Sequence, residues 1–103
     1  MNEIRRDVFQ AISDPIRREI ILILSKEDLT VNGVAENFKV SRPAISKHLK
    51  ILVECGLVNI QRHGRDHYCS ANYNKLKEVS DWLKYFERFW DQKLNSLQKY
   101  LEE

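Results

Sequence analysis

The segment 41–52 carries the side chains best suited to bind the phosphates and base edges of a nucleic acid. Among its side chains that can donate hydrogen bonds, those of the predicted outer face are Arg42, Ser46, Lys47, His48 and Lys50. Ser41 is a favourable N-cap residue, and Pro43 is tolerated in the first turn of a helix. Apolar residues recur at spacings of four and three, at Ile45, Leu49 and Leu52. The spacing predicts a helix that buries this stripe and presents most of its cationic side chains to solvent.

A shorter helix is predicted just before this segment, over residues 31–38, and only Lys39 and Val40 separate the two. Two helices joined by so brief a turn indicate a helix-turn-helix over residues 31–54. The second helix of such a motif can lie in the major groove of DNA. The segment alone leaves open a second interpretation, an amphipathic helix that is merely solvated.

A β-hairpin is predicted to follow, over residues 57–71. Apolar and polar residues alternate over 58–62 and more loosely over 68–71, and the polar residues between them include Gly64. Gly56 suits the C′ position of the preceding helix, where a positive φ is needed. The basic residues at the hairpin tip are Arg62, His63, Arg65 and His67. A helix-turn-helix followed by such a hairpin predicts a winged helix, whose wing lies along the phosphate backbone or in the minor groove.

Composition and charge fit one small domain with a cationic face. The chain has 103 residues, 43% of them hydrophobic, and a formal net charge of +2. Residues 39–68 carry six Lys and Arg against two acidic residues, whereas residues 1–38 carry an acidic excess. A phosphate-binding face requires such a distribution. No apolar run approaches the ~20 residues of a membrane-spanning helix and no signal peptide is evident, so a cytoplasmic location is expected.

The two ends of the chain are predicted to form dimerisation helices, over residues 4–13 and 74–102. The longer helix would span roughly 40 Å and has apolar residues at three-four spacing, with aromatic residues on a second flank. A chain of 103 residues cannot cover both flanks, so the exposed stripe is expected to pack against a second copy. The predicted interface residues are Ile4, Val8, Trp82, Phe86, Phe89, Trp90 and Leu97. The alternative is a core helix, with Trp82 and Phe89 packed internally.

Between these ends, Asp14 is predicted to cap a helix that has Pro15 at its first position. The apolar run 20–24 is predicted to be buried on most sides, and residues 29–30 to open the next helix. The expected fold is mainly α, a winged helix-turn-helix with a two-stranded β-hairpin wing and a long C-terminal dimerisation helix, in a single domain over residues 1–103. A dimer would present two recognition helices to a palindrome whose half-sites lie one helical turn, or a multiple of it, apart.

Three segments together resemble the ArsR/SmtB family of bacterial winged-helix repressors. They are residues 9–20 (FQAISDPIRREI), residues 41–52 (SRPAISKHLKIL), and residues 56–58 leading into 62–65. The resemblance covers nearly the whole chain. It implies a homodimeric, operator-binding repressor of a prokaryotic cytoplasm, with a dimer interface formed by the first and last helices.

Many members of that family sense metals, but this chain departs from their ligand sets. Where one family site has a pair of cysteines, this chain has Thr30 and Asn32, which supply no thiolate. Where another has four ligands on the terminal helix, this chain has Asp81 but leucine at the other positions. No metal or other cofactor is therefore expected. The segment from Arg88 to the C-terminus resembles a metal-independent branch, whose members are often autorepressors or encoded beside START-like ligand-binding proteins.

The residues expected to contact DNA lie on the second helix of the motif, on the turn before it and on the wing. They are Lys39, Ser41, Arg42, Pro43, Ala44, Ser46, Lys47, His48, Lys50, Arg62 and Arg65. Arg42 is the predicted bidentate reader of guanine, and Pro43 and Ala44 could contact a thymine methyl group. The wing arginines would grip phosphate or the minor groove. His48 lies one position off the apolar stripe, so a structural role and a DNA contact both stay open.

Other functions are weighed against this one. An enzyme is not expected, because the chain has no recognisable nucleophile–base pair and no glycine-rich phosphate loop. A winged helix that binds proteins instead of DNA usually lacks a basic outward face, which this chain has. A metal-responsive or redox-responsive repressor is a further alternative. The redox form would need an accessible thiol of low pKa at Cys55 or Cys69.

Overall fold

The computed structural model describes residues 6–102, which form a mainly helical winged helix-turn-helix, as predicted. The helices are α1 (Val8–Ala11), α2 (Pro15–Leu24), α3 (Val31–Ala35), α4 (Arg42–Glu54) and α5 (Leu76–Glu102). The strands are β1 (Leu29–Thr30), β2 (Val58–His63) and β3 (Asp66–Ala71), in the antiparallel order β1-β3-β2. Ile4, one of the expected interface residues, lies outside the described residues.

Helices α2 and α4 begin at the capping residues that the sequence predicts. The Asp14 carboxylate accepts hydrogen bonds from the backbone N–H groups of Ile16, at 2.7 Å, and Arg17, at 3.2 Å. Burial raises the pKa of Asp14, but these backbone donors outweigh it, and the pKa lies below its ordinary value. Ser41 Oγ accepts from the N–H of Ala44 at 3.3 Å. Both caps satisfy donors that a first helical turn leaves unpaired.

Helix α4 packs on the core through the predicted stripe and then ends sharply. The stripe residues, each at most 1% exposed, are Ile45, Leu49 and Leu52. Gly56 follows with a φ of 82°. Its N–H donates to the carbonyl of Val53 and that of Leu57 to the carbonyl of Leu52, both at 3.0 Å. These two bonds form a Schellman motif, which ends the helix and directs the chain into β2.

The wing is the β2–β3 hairpin, and its central strand also joins the helix-turn-helix. Gly64, in the hairpin turn, has the expected positive φ, 64°. On its other edge β3 pairs with β1, with Leu29 opposite Cys69. The sequence places residues 29–30 only at the start of a helix. Thr30 is indeed the N-cap of α3, its hydroxyl accepting from the N–H of Gly33 at 3.0 Å, but the same two residues also form a strand.

Three helices differ from prediction. Within the described residues, α1 spans only Val8–Ala11 of the predicted 4–13. It is this short because the Asp7 side chain caps its start by accepting from the N–H of Gln10, and Arg17 donates to the Ala11 carbonyl at its end.

Helix α3 ends at Ala35 rather than at residue 38. Just after this end, the side-chain amide of Asn37 donates to the carbonyl of Gly33 at 2.9 Å. That carbonyl would otherwise accept from a backbone N–H if the helix continued. Leu22, inside the apolar run predicted to be buried on most sides, is 58% exposed. Only one face of α2 packs against the core, and Leu22 lies on the face that is exposed to solvent.

Helix α5 extends away from the rest of the chain. It has 27 residues, which corresponds to about 40 Å, and none of them is buried. Its exposed apolar residues are Trp82, Leu83, Tyr85, Phe89, Trp90, Leu94, Leu97, Tyr100 and Leu101. A core helix with Trp82 and Phe89 packed internally is therefore wrong for the single chain. Among residues 6–102, no helix combines the length and hydropathy that crossing a membrane requires.

Candidate nucleic-acid interface

The polar side chains of α4 stay accessible away from the buried stripe. The exposed residues among those expected to contact DNA, on α4 and just before it, are Lys39, Ser41, Arg42, Pro43, Lys47 and Lys50. The half-buried ones are Ala44, Ser46 and His48. The helix thus presents cations on one side while its apolar stripe is anchored on the other, which a helix entering a groove of DNA requires.

A small cleft brings the start of α4 together with the wing. Its volume is about 120 Å³, and Arg42 of α4 and Arg65 of the wing both line it. Residues 30–32 and 66–67 complete its wall. Two guanidinium groups in one open cleft can bind adjacent oxygen atoms of a phosphate, or a phosphate and a base edge. The two arginines predicted from separate motifs therefore belong to one surface.

Arg42 is held at this surface by Asn32 of α3, for which the sequence predicts no part in DNA binding. The Nε of Arg42 donates to the Oδ1 of Asn32. This bond orients the guanidinium, and its two terminal nitrogens have no hydrogen-bond partner among residues 6–102. Asn32 and Arg42 are ten positions apart, and no local pattern in the sequence signals their contact.

The two wing arginines differ in their surroundings. Arg62 Nε donates to the carbonyl of Gly64 at 3.0 Å, so its guanidinium folds back on the turn of the hairpin. Arg65 lines the cleft shared with α4. Beside them, the rings of His63 and Tyr68 meet edge to face, with centroids 5.8 Å apart. The geometry makes Arg65 the wing arginine that shares a surface with the helix that would read the bases.

Two other predicted contacts, Ser46 and Lys50, line a separate surface. They border a mostly apolar groove of about 440 Å³ between α4 and the wing, whose walls include Leu49, Val53 and Ile60. Of the predicted DNA-binding residues, Arg42 and Arg65 line the cleft, and Ser46 and Lys50 line this groove.

His48 is in contact with the interior of the protein. Its Nδ1 lies 3.3 Å from Nη1 of Arg17, a residue of α2 that is only 6% exposed. Arg17 enters the sequence analysis only as part of a family segment, with no role of its own. A buried arginine is unusual because its charge must be compensated. The partners of Arg17 are backbone carbonyls and a hydroxyl four to seven positions earlier in the chain, together with the distant ring nitrogen of His48.

The aromatic residues of α5 begin a surface that continues onto α1. Phe9, 39% exposed, meets Trp82 edge to face with centroids 5.9 Å apart, and Trp82 meets Phe86 at 5.0 Å. Val8, expected at the dimer interface, is instead 1% exposed and belongs to the core of the single chain. A four-residue helix turns Val8 inward and leaves its neighbour Phe9 as the accessible apolar side chain.

The positions of the family's cysteine-type metal site carry side chains already engaged in the fold. The hydroxyl of Thr30 caps α3, and the amide oxygen of Asn32 accepts from Arg42. Neither supplies a thiolate, so these residues do not fit a soft metal ion. Within residues 6–102, no three His, Cys, Asp or Glu side chains lie close enough together to hold a metal.

Both cysteines are buried, with 4% of Cys55 and none of Cys69 exposed. Burial raises the pKa of both thiols above the ordinary value, so at neutral pH they are protonated and poor nucleophiles. We therefore expect iodoacetamide to alkylate them roughly 100-fold more slowly in the native protein than in urea. Mass spectrometry of timed samples measures both rates. Rapid alkylation of either thiol in the native protein would instead favour a redox-responsive repressor.

The order of helices and strands defines a winged helix-turn-helix protein, a class whose second helix and wing are arranged to bind DNA. The family model described as "Bacterial regulatory protein, arsR family" matches residues 14–59. The chain is 40% identical over 80 residues to the transcriptional repressor SdpR of Bacillus subtilis (strain 168), an alignment that spans 78% of this chain and 89% of SdpR. The chain belongs to the arsR family; it is a DNA-binding transcriptional repressor and not an enzyme.

Other relatives and solved structures agree with this assignment. The arsenical resistance operon repressor of Staphylococcus xylosus is 33% identical over 76 residues, which cover 74% of this chain and 73% of that protein. The solved structure of an ArsR-like transcriptional regulator from Rhodococcus sp. RHA1 superposes with a TM-score of 0.73 at 35% identity. The match covers 92% of this chain and 87% of the other. The sequence alignment and the structural superposition thus agree on the family and the fold.

Proposed function

We propose that two copies of the chain associate through α5 and α1 and repress transcription from a palindromic operator in a bacterial cytoplasm. The proposal rests on the exposed apolar surface of α5. In one protomer, no residue of Leu76–Glu102 is buried. An exposed apolar surface of this length on a small protein marks an interaction site. Twofold pairing of identical copies is the commonest way to cover one.

In the proposed complex each α4 enters a major groove, and each wing contacts the adjoining backbone. Arg42 reads a guanine through the terminal nitrogens that its bond to Asn32 leaves available. Arg65, in the same cleft, contacts a phosphate. The twofold axis sets two such clefts about one helical turn of DNA apart, so that the operator shares the symmetry of the dimer.

We also propose that repression does not require a metal. Thr30 and Asn32 support this view. They occupy both positions of the cysteine-type site, and their side-chain oxygens already accept hydrogen bonds within the fold. The aromatic terminal helix supports membership of the metal-independent, autorepressor-like branch, in which the protein binds upstream of its own gene.

In vitro selection tests the proposal. A pool of random-sequence DNA duplexes is passed over the full-length protein, and the enriched duplexes are sequenced and titrated with and without EDTA. We expect a palindromic consensus, two chains per duplex by analytical ultracentrifugation, and the same affinity with the chelator. Enrichment of no sequence, one chain per duplex, or loss of binding in EDTA would contradict the respective part of the proposal.

A further inference from the structure

The guanidinium group of Arg17 joins the end of α1 to α2. Its Nε donates to the carbonyl of Ala11 at 2.9 Å, and its Nη2 donates to the carbonyl of Gln10 at 3.0 Å and to the hydroxyl of Ser13 at 3.3 Å. The carbonyls of a last helical turn have no partner further along the helix, and the bond from Nε satisfies that of Ala11. The carbonyl of Gln10 also accepts from the N–H and the hydroxyl of Ser13, so the Arg17 bond there adds to an existing turn. Arg17 thereby fixes where α1 ends and how it meets α2.

The fourth contact of the same guanidinium reaches the recognition helix. Nη1 of Arg17 lies 3.3 Å from Nδ1 of His48, which is half-buried on α4. A guanidinium has donors only, so Nδ1 must act as the acceptor. The imidazole is then neutral and carries its proton on Nε2. One buried cation thus links the α1 end of the proposed dimer surface, where Phe9 meets Trp82, to the helix that reads DNA.

We infer that Arg17 is a positioning residue for DNA recognition, acting through His48. Otherwise α4 is held mainly by its apolar stripe, and apolar packing is non-directional. A hydrogen bond from a buried guanidinium is directional and therefore fixes the rotation of α4 about its own axis. This rotation decides whether Arg42 meets a base edge. The inference rests on the proposed function, because it concerns how α4 is presented by the dimer.

A double-mutant cycle tests the inference with the duplex enriched by the wild-type protein and a shuffled duplex of equal composition. His48→Asn keeps an oxygen acceptor near the position of Nδ1, and His48→Leu has the same branched shape without an acceptor. We expect His48→Leu to weaken binding to the enriched duplex about tenfold and His48→Asn to retain most of the affinity. In an Arg17→Gln background, the Asn and Leu variants should bind equally. Effects that add across the cycle would refute the link.

Arg18 offers a matched control. Its Nη1 donates to the carbonyl of Ile12 at 2.7 Å, so it also holds the turn after α1, but within residues 6–102 it makes no hydrogen bond to α4. Arg18→Gln should therefore give additive effects with His48→Leu. Thermal unfolding followed by circular dichroism confirms that each variant is folded. If the wild-type protein enriches no duplex, the proposed function fails; if it does and the cycle is additive, only this inference fails.

Rescue by His48→Asn gives a readout that a purely structural role would not move. The ratio of affinities for enriched and shuffled duplexes should stay close to the wild-type value in His48→Asn, which keeps an acceptor for Arg17, and should fall in His48→Leu, which has none. An equal fall in both variants would overturn the role assigned to His48.

Discussion

Replacing Phe89 and Trp90 with glutamine is expected to give a monomer that binds the operator poorly. The two side chains are 45% and 66% exposed on a helix with no buried residue, so they contribute little to the folding of a single chain. In the proposed dimer Phe89 and Trp90 of both copies are covered, which makes four aromatic side chains. At roughly 1.5 kcal/mol for each ring this amounts to about 6 kcal/mol, or about a 10,000-fold weaker association. Sedimentation velocity and a titration with the enriched duplex measure the two effects.

The control for this prediction is an aromatic residue outside α5. Tyr73, 51% exposed in the turn before that helix, loses one exposed aromatic side chain in Tyr73→Gln. This variant should remain a dimer and bind DNA as the wild-type protein does. A Phe89–Trp90 variant that sediments as an unchanged dimer would show that the copies associate through another surface.

Removal of the Arg42 side chain should cost sequence preference, whereas removal of Arg65 should cost affinity for any DNA. Arg42→Ala is expected to weaken the free energy of binding by about 1–3 kcal/mol and to relax the preference for one base in each half-site. Arg65→Ala should weaken binding to enriched and shuffled duplexes alike. It should also reduce the slope of log affinity against log salt concentration by about 1 for each phosphate that the variant no longer neutralises.

Lysine variants separate charge from geometry at these two positions. Arg42→Lys keeps a positive charge but lacks the planar fork that contacts two atoms of guanine, so the base preference should stay relaxed. Arg65→Lys should restore most of the affinity, because a phosphate accepts from either cation. Equal effects of the two alanine variants on both duplexes would mean that Arg42 and Arg65 do not divide these roles, although they share one cleft.

Features governed by nearby residues could be predicted from the sequence. Ser41 as N-cap, the stripe that ends at Leu52, and the positive φ of Gly56 all depend on interactions within a few positions of the chain. Helix periodicity and capping are local in the same sense. The bounds of α4 and of the wing, and the cationic residues on them, could therefore be predicted from the sequence.

Features that depend on distant pairing were missed. Strand β1 has two residues and no alternation of its own, and it exists because Leu29 pairs with Cys69. The burial of Arg17 likewise depends on carbonyls of α1 and on His48 of α4. Leu22 was misplaced because an apolar run alone does not show which face of a helix is covered. All three features depend on how the helices and strands pack together, which the spacing of apolar residues along the sequence does not show.

The exposed terminal helix has a consequence for how gene expression responds to the amount of this protein. In the proposed dimer a partner covers the exposed side chains of α5, so the fraction of paired chains would rise with concentration. At low cellular levels the abundance of the paired form scales with the square of chain number, so halving synthesis would cut occupancy of the promoter about fourfold. Dilution by cell growth would then release the promoter more abruptly than a single-chain binder could.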